Sequence, residues 1–197
     1  MDIESMARYW SQDAENYGNI IEGELSSFRV GAWQRLLKEK MPAGAKKILD
    51  LGCGPGFFFI ILYKLGYDVT AVDCSEGMLE QARTMMGKVG ARVTLQQMDI
   101  NHLAFEDGTF DAIVSRNVTW TLSDPWLVYG ECLRVLKSGG RFLLFDANWH
   151  MPLYDEQMAD RAEKRRLECL ERYGDALESS DDITEQWKSL VNWSSKE

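Results

Sequence analysis

Residues 48–56 read Ile-Leu-Asp-Leu-Gly-Cys-Gly-Pro-Gly, an apolar run that ends in a turn with glycine at 52, 54 and 56. Glycines so placed let the backbone approach a ligand closely and adopt φ angles that a Cβ forbids. The helix expected after the turn adds unpaired N–H groups that favour a carboxylate or phosphate. Two acids close later apolar runs. Asp73 stands where a carboxylate can hold both hydroxyls of an adenosine ribose. Asp99 and Ile100 stand where a side chain and a backbone amide can read an adenine edge. A glycine turn alone is common, but with two acids in this register it indicates a nucleoside-containing ligand.

The elements that must carry these residues alternate along the chain. Lys46–Leu51, Tyr67–Asp73, Ala91–Met98, Phe110–Arg116 and Gly140–Ala147 are short, β-rich and bounded by Gly, Asp or Asn. Between them Phe57–Leu65, Ser75–Val89 and Pro125–Leu136 place apolar residues at helical spacing. Phe-Phe-Phe-Ile-Ile-Leu-Tyr (57–63) has strand propensity, yet it must cross over from the first strand to the second, which predicts a buried helix. Strand–helix repetition implies right-handed crossovers and a doubly wound, mainly parallel α/β sheet. Its five strands are predicted in the order 3-2-1-4-5, with helices on both faces and the ligand at the carboxyl ends. The flanks read as helices over Glu24–Lys40, Leu153–Tyr173 and Ile183–Trp193. The expectation is one domain. Residues 1–43 form a helical lid or cap, 44–150 the α/β core and 151–197 C-terminal helices.

Composition narrows the partners. The net charge of −9 argues against a protein that coats nucleic acid or anionic membrane. Residues 151–197 hold 12 acids against 7 bases, so much of the excess is a solvated helical face. No run approaches the ~20 apolar residues of a membrane span. The N-terminus lacks the blocks of a signal peptide, and Cys53, Cys74, Cys132 and Cys169 show no Cys-x-x-Cys spacing. Reduced thiols in a cytoplasmic protein follow as the expectation. With two histidines and no His/Cys cluster, no metal site is expected.

The segments ILDLGCGPG (48–56), VTAVDCSEGMLEQAR (69–83), QQMDINHLAFEDGTFDAIVSRN (96–117) and ECLRVLKSGGRFLLFD (131–146) resemble, in order and spacing, the class I S-adenosylmethionine-dependent methyltransferases. The resemblance is to the type 11 family, which includes enzymes like those of ubiquinone and menaquinone biosynthesis. It implies S-adenosylmethionine as methyl donor, S-adenosylhomocysteine as product and a small-molecule acceptor. Carried over residue by residue, it places Asp50 and the turn of Gly52, Cys53, Gly54 and Gly56 at the methionine moiety. Asp73 falls at the ribose, Cys74 and Met78 near the adenine, and Asp99 and Ile100 on the adenine edge. The Arg116–Asn117 backbone falls beside the sulfonium. Tyr9, Trp10 and Tyr17 match an aromatic lead-in that folds over the cofactor.

Methyl transfer from a sulfonium needs mainly alignment and exclusion of water, and a base only when the acceptor keeps its proton until attack. His150 is the base candidate, because its free pKa lies near neutrality, and Asp146, which also follows the fifth strand, is the second catalytic candidate. Asn117–Trp120 and 148–149 are further acceptor-side candidates, while His102 reads as structural. The motif of adenine-methylating enzymes is absent after the fourth strand. A dinucleotide is the runner-up ligand, but its G-x-G-x-x-G pattern requires glycine where Phe57 stands. The resembling family has two further strands after the fifth, and none is legible here. That leaves an apolar edge which a homodimer could cover, and it leaves open a donor-binding protein with little turnover.

Overall fold

A computed structural model of the chain describes residues 2–147 and 155–173. Residues 2–146 make one unit; the other holds the stretch from Ala147 onward, in which the described helix is Glu156–Tyr173.

In the first unit a five-stranded parallel sheet has the order β3-β2-β1-β4-β5. Its strands are β1 (Lys47–Leu51), β2 (Asp68–Asp73), β3 (Thr94–Gln97), β4 (Phe110–Arg116) and β5 (Leu136–Phe145). Three helices precede the sheet: α1 (Ile3–Gln12), α2 (Ala14–Leu25) and α3 (Arg29–Lys40). Three more cross between strands: α4 (Phe57–Lys64), α5 (Glu76–Val89) and α6 (Pro125–Val135). Glu156–Tyr173 is α7. No described helix is long and apolar enough to cross a membrane.

Strand alternation divides the core between the two faces. Ile48, Val69, Ala71, Ala112 and Val114 pack with α4, with Leu79, Ala82 and Met85 of α5, and with Leu37 of α3. Leu49, Leu51, Val72 and Ile113 pack on the other face with Val128, Cys132 and Val135 of α6. Phe57 through Leu62 are all buried, so the all-apolar segment is a helix because it is enclosed on every side. Local chemistry sets the helix ends. The Ser75 hydroxyl accepts from Met78 N at the start of α5, and Gly90 ends it with φ 65°. Asp124 caps α6 by accepting from Leu127 N, with Pro125 next in line.

Two boundaries differ from the sequence reading. The helix expected over 24–40 is broken at residues 26–28. There the Ser26 and Ser27 hydroxyls donate back to the Glu22 and Glu24 carbonyls, at 3.0 and 2.7 Å, in competition with helix continuation. Phe28, in phase with the apolar stripe of Leu25, Ala32, Leu36 and Leu37 along 24–40, is 92% exposed in that break. The fifth strand starts at Leu136 rather than Gly140: Leu136 pairs with Phe110, and the ladder resumes at Arg141 after an excursion through Gly139, φ 78°. The helix expected at 183–193 lies outside the described residues.

Candidate functional site

The glycine turn leaves β1 between the ends of β2 and β4, the switch point of the sheet. Asp50 sits on the α4 face just before it and is 2% exposed. Its Oδ2 is buried without a hydrogen-bond partner. Burial pushes the Asp50 carboxyl up to about 8, the Asp73 charge adds to the rise, and the Phe59 backbone N–H opposes it. A buried acceptor left unpaired is rare in folded proteins and suits a ligand that brings a donor.

The turn uses its glycines differently. Gly52 has φ 67°, and a Cβ there would lie 2.4 Å from Val118 Cγ2. Gly56 has φ 115°, and its Cβ would overlap the Phe59 ring at 2.2 Å. Gly54, φ 51°, instead faces open space bounded by the Tyr17 ring at 3.7 Å. Gly52 and Gly56 are therefore required by packing, and Gly54 keeps a cradle clear.

Asp73 joins this turn to the start of α5. Its Oδ2 accepts from Gly54 N and its Oδ1 from Ser75 N, both at 2.9 Å. Burial pushes its carboxyl up, and those backbone N–H groups oppose the shift. Each oxygen keeps a second lone pair, enough for a vicinal diol. Cys53 and Cys74 flank the acid. Burial pushes the Cys53 thiol well up and the Cys74 thiol to about 12, with negative neighbours adding to both. Both thiols stay protonated at neutral pH and serve as packing groups. Met78 is buried in the first turn of α5. Asp99 closes its own turn, its Oδ1 accepting from the Asn101 backbone and side-chain amides at 2.9 and 2.7 Å, which leaves Oδ2 for an incoming donor. Ile100 packs against the α6-face core.

The β4 end supplies the third side. Asn117 is the one described non-glycine residue with positive φ, 59°, a conformation that asparagine tolerates. Its N–H donates to Phe145 O at 2.9 Å, and its carbonyl accepts from Trp120 Nε1 at 2.7 Å. Arg116 does not turn toward the turn. Its guanidinium grips Glu24 of α2 with two bonds, 2.7 and 3.0 Å, and lies 4.2 Å from the Phe57 ring centroid.

Asp146, expected as an acid–base group, accepts at Oδ2 from Thr119 N at 2.8 Å and also from the Thr119 hydroxyl. It thereby pins the short turn that carries Trp120. His150, with 148 and 149, lies outside the described residues. The aromatic lead-in forms one cluster with that turn. Trp10 lies 5.3 Å from Tyr9, 5.7 Å from Tyr17 and 6.1 Å from Trp120, centroid to centroid. Of the two tyrosines expected at the ligand, Tyr17 reaches the glycine turn, and Tyr9 packs edge-on to Trp10. Glu24 and Ser75 were not singled out by sequence reasoning, and Val118 was named only within the acceptor-side span 117–120. Glu24 and Arg116 stand 92 positions apart, and no local pattern pairs them.

Comparisons with known proteins agree with this geometry. A family model described as "Methyltransferase domain" matches residues 49–144. The ubiquinone biosynthesis O-methyltransferase of Xanthomonas axonopodis pv. citri is 33% identical over 108 residues, 54% of this chain and 45% of that protein. Among solved structures, the PH0226 protein of Pyrococcus horikoshii superposes with TM-score 0.59 at 31% identity, over 66% of this chain and 61% of the other. A SAM-dependent methyltransferase of Aquifex aeolicus superposes with TM-score 0.51 at 28% identity, over 61% of this chain and 67% of the other. The chain spans about half the length of the curated relatives it matches.

Proposed function

The chain belongs to the class I S-adenosylmethionine-dependent methyltransferases, and from that premise we propose that it moves the donor's methyl group onto a small-molecule acceptor by in-line displacement. The observation that carries the reading is the unpaired, buried Asp50 Oδ2 beneath a glycine turn that keeps Gly54 clear. S-adenosylmethionine, when bound, supplies an electrophilic methyl on a sulfonium with a neutral thioether as leaving group.

The chain's own residues bind, orient and dehydrate. Asp50 accepts from the donor's ammonium group, and the Gly52–Gly56 backbone lies along its amino-acid tail. Asp73 accepts from the ribose hydroxyls while its bonds to Gly54 and Ser75 hold it in place. Asp99 presents Oδ2 to the adenine edge. Asn117, held by Phe145 and Trp120, would fix the backbone beside the reacting carbon, where placement supplies most of the rate. Trp10, Tyr17 and Trp120 exclude water on the acceptor side. The Thr119–Asp146 contact makes Asp146 a positioning group.

A second reading is a donor-binding protein with little turnover. Incubation with methyl-deuterated S-adenosylmethionine and a metabolite extract separates the two. Catalysis places label in a small molecule with matching S-adenosylhomocysteine release. Label confined to the donor, in a chain that binds S-adenosylhomocysteine when it is added separately, supports the second reading.

A further inference from the structure

The two carboxylates that a nucleoside ligand must reach, Asp50 and Asp73, are only 2% and 8% exposed. Entry therefore demands that a covering element move, and α1 and α2 are the elements that lie over this end of the sheet. Ser11 of α1 hydrogen-bonds Ser75 hydroxyl to hydroxyl at 2.9 Å, and its Cα lies 2.9 Å from where a Gly77 Cβ would stand. Tyr17 of α2 closes over Gly54. Gly18 packs so tightly on Gln81 of α5 that a Cβ would meet its Oε1 at 2.8 Å.

Along α2, Tyr17, Ile21 and Glu24 share one face. Ile21 is buried, Tyr17 covers Gly54, and Glu24 reaches Arg116 at the end of β4. Glu24 holds Arg116 through a two-point fork, with side chains 26% and 20% exposed, so solvent screens the pair incompletely. The guanidinium also lies over the Phe57 and Trp33 rings, 4.2 and 5.7 Å from their centroids. One residue beyond Glu24 the helix ends, and Ser26 and Ser27 turn their hydroxyls onto backbone carbonyls. A strong contact thus stands next to a break in the chain.

We propose that the Glu24–Arg116 pair is a latch. It holds α1 and α2 shut over the ligand cleft, and its release lets them swing about residues 26–28 to admit and discharge ligand. Arg116 is then a positioning residue whose side chain acts on the lid, while its backbone continues into Asn117. The proposal rests on the methyl-donor reading only for what passes through the opening. The other ion pair of α2, Glu22–Lys88, has side chains 45% and 49% exposed and provides a control on the same helix.

Hydrogen–deuterium exchange on the ligand-free full chain tests the latch directly. In Glu24→Gln the amides of α2 and of the 52–56 turn should exchange about tenfold faster than in the unsubstituted chain, as expected for loss of a charge-assisted fork. Arg116→Lys, which keeps the charge and loses the fork, should act in the same direction and serves if Glu24→Gln does not fold. Glu22→Gln should leave the rates unchanged. Unchanged exchange in both latch variants overturns the proposal, as does equal acceleration by Glu22→Gln. Dissociation of S-adenosylhomocysteine should quicken in parallel. A chain that binds no S-adenosylhomocysteine ends the methyl-donor reading, while the exchange result still decides the latch.

Discussion

Gly54 N donates to Asp73 Oδ2 at 2.9 Å, so the glycine turn after β1 and the acid that ends β2 form one rigid unit. The turn is shaped partly by the carboxylate that a ligand would share, which couples its geometry to ligand affinity.

Removing that carboxylate should therefore act twice. Asp73→Ala loses the acceptor for a ribose diol and frees Gly54 N and Ser75 N. Affinity for S-adenosylhomocysteine should fall on the order of 100-fold, as for loss of charge-assisted hydrogen bonds. Titration calorimetry checks this, and an affinity within threefold of the unsubstituted chain would dismiss the role assigned to Asp73.

Asp50 makes binding depend on pH. Its folded pKa is raised from 3.8 to about 8, so the free protein carries a proton there across the neutral range. An ammonium ligand requires the carboxylate, and binding must release that proton. Affinity should climb by up to about tenfold per pH unit through the neutral range and level off near 8. Stability of the free chain runs the other way. The raised pKa contributes stability that is fully present below the unfolded value of 3.8 and is lost as pH rises through about 8. Asp50→Asn should abolish the affinity slope. A pH-independent affinity between pH 5 and 7 in the unsubstituted chain would contradict the assignment.

Two alanine substitutions in the turn should separate packing from ligand space. Gly52→Ala places a methyl 2.4 Å from Val118 at a φ of 67° and should destabilise the fold by roughly 2–4 kcal/mol in denaturant unfolding. Gly54→Ala meets nothing closer than 3.7 Å and should lose only about 1 kcal/mol through its φ. It should nevertheless lose more ligand affinity than any stability effect explains. Equal destabilisation by both would remove the distinction drawn between the two glycines.

Tyr17→Phe keeps the ring over Gly54 and removes only the hydroxyl. Affinity for S-adenosylhomocysteine should stay within about fivefold with little change in melting temperature, because the ring is what covers the turn. A drop beyond 100-fold would place the hydroxyl on the ligand itself.

Much of this fold was legible in the sequence because local and tertiary signals agree. The alternating apolar runs set the strand order, and the crossover requirement made 57–63 a helix against its own propensity. The turn and Asp73 were legible because their register relative to the strands carries the chemistry. The break at 26–28 was hidden, since Phe28 falls in phase with the apolar stripe and the serine hydroxyl bonds are a matter of geometry. The Glu24–Arg116 fork was hidden for a different reason. Opposite charges 92 positions apart are common in any chain, and only the fold pairs these two. Asp146 was read by its neighbourhood as an acid–base group, yet its carboxylate is engaged in pinning Thr119.

The central claim is that Asp50 and the glycine turn bind a methionine-type nucleoside. Its most direct measurement is titration of the full chain with S-adenosylhomocysteine in buffers of different ionisation enthalpy at pH 6.5. Saturable one-to-one binding is expected, with release of close to one proton in the unsubstituted chain and none in Asp50→Asn. Absence of saturable heat, or proton release that persists in Asp50→Asn, would contradict it.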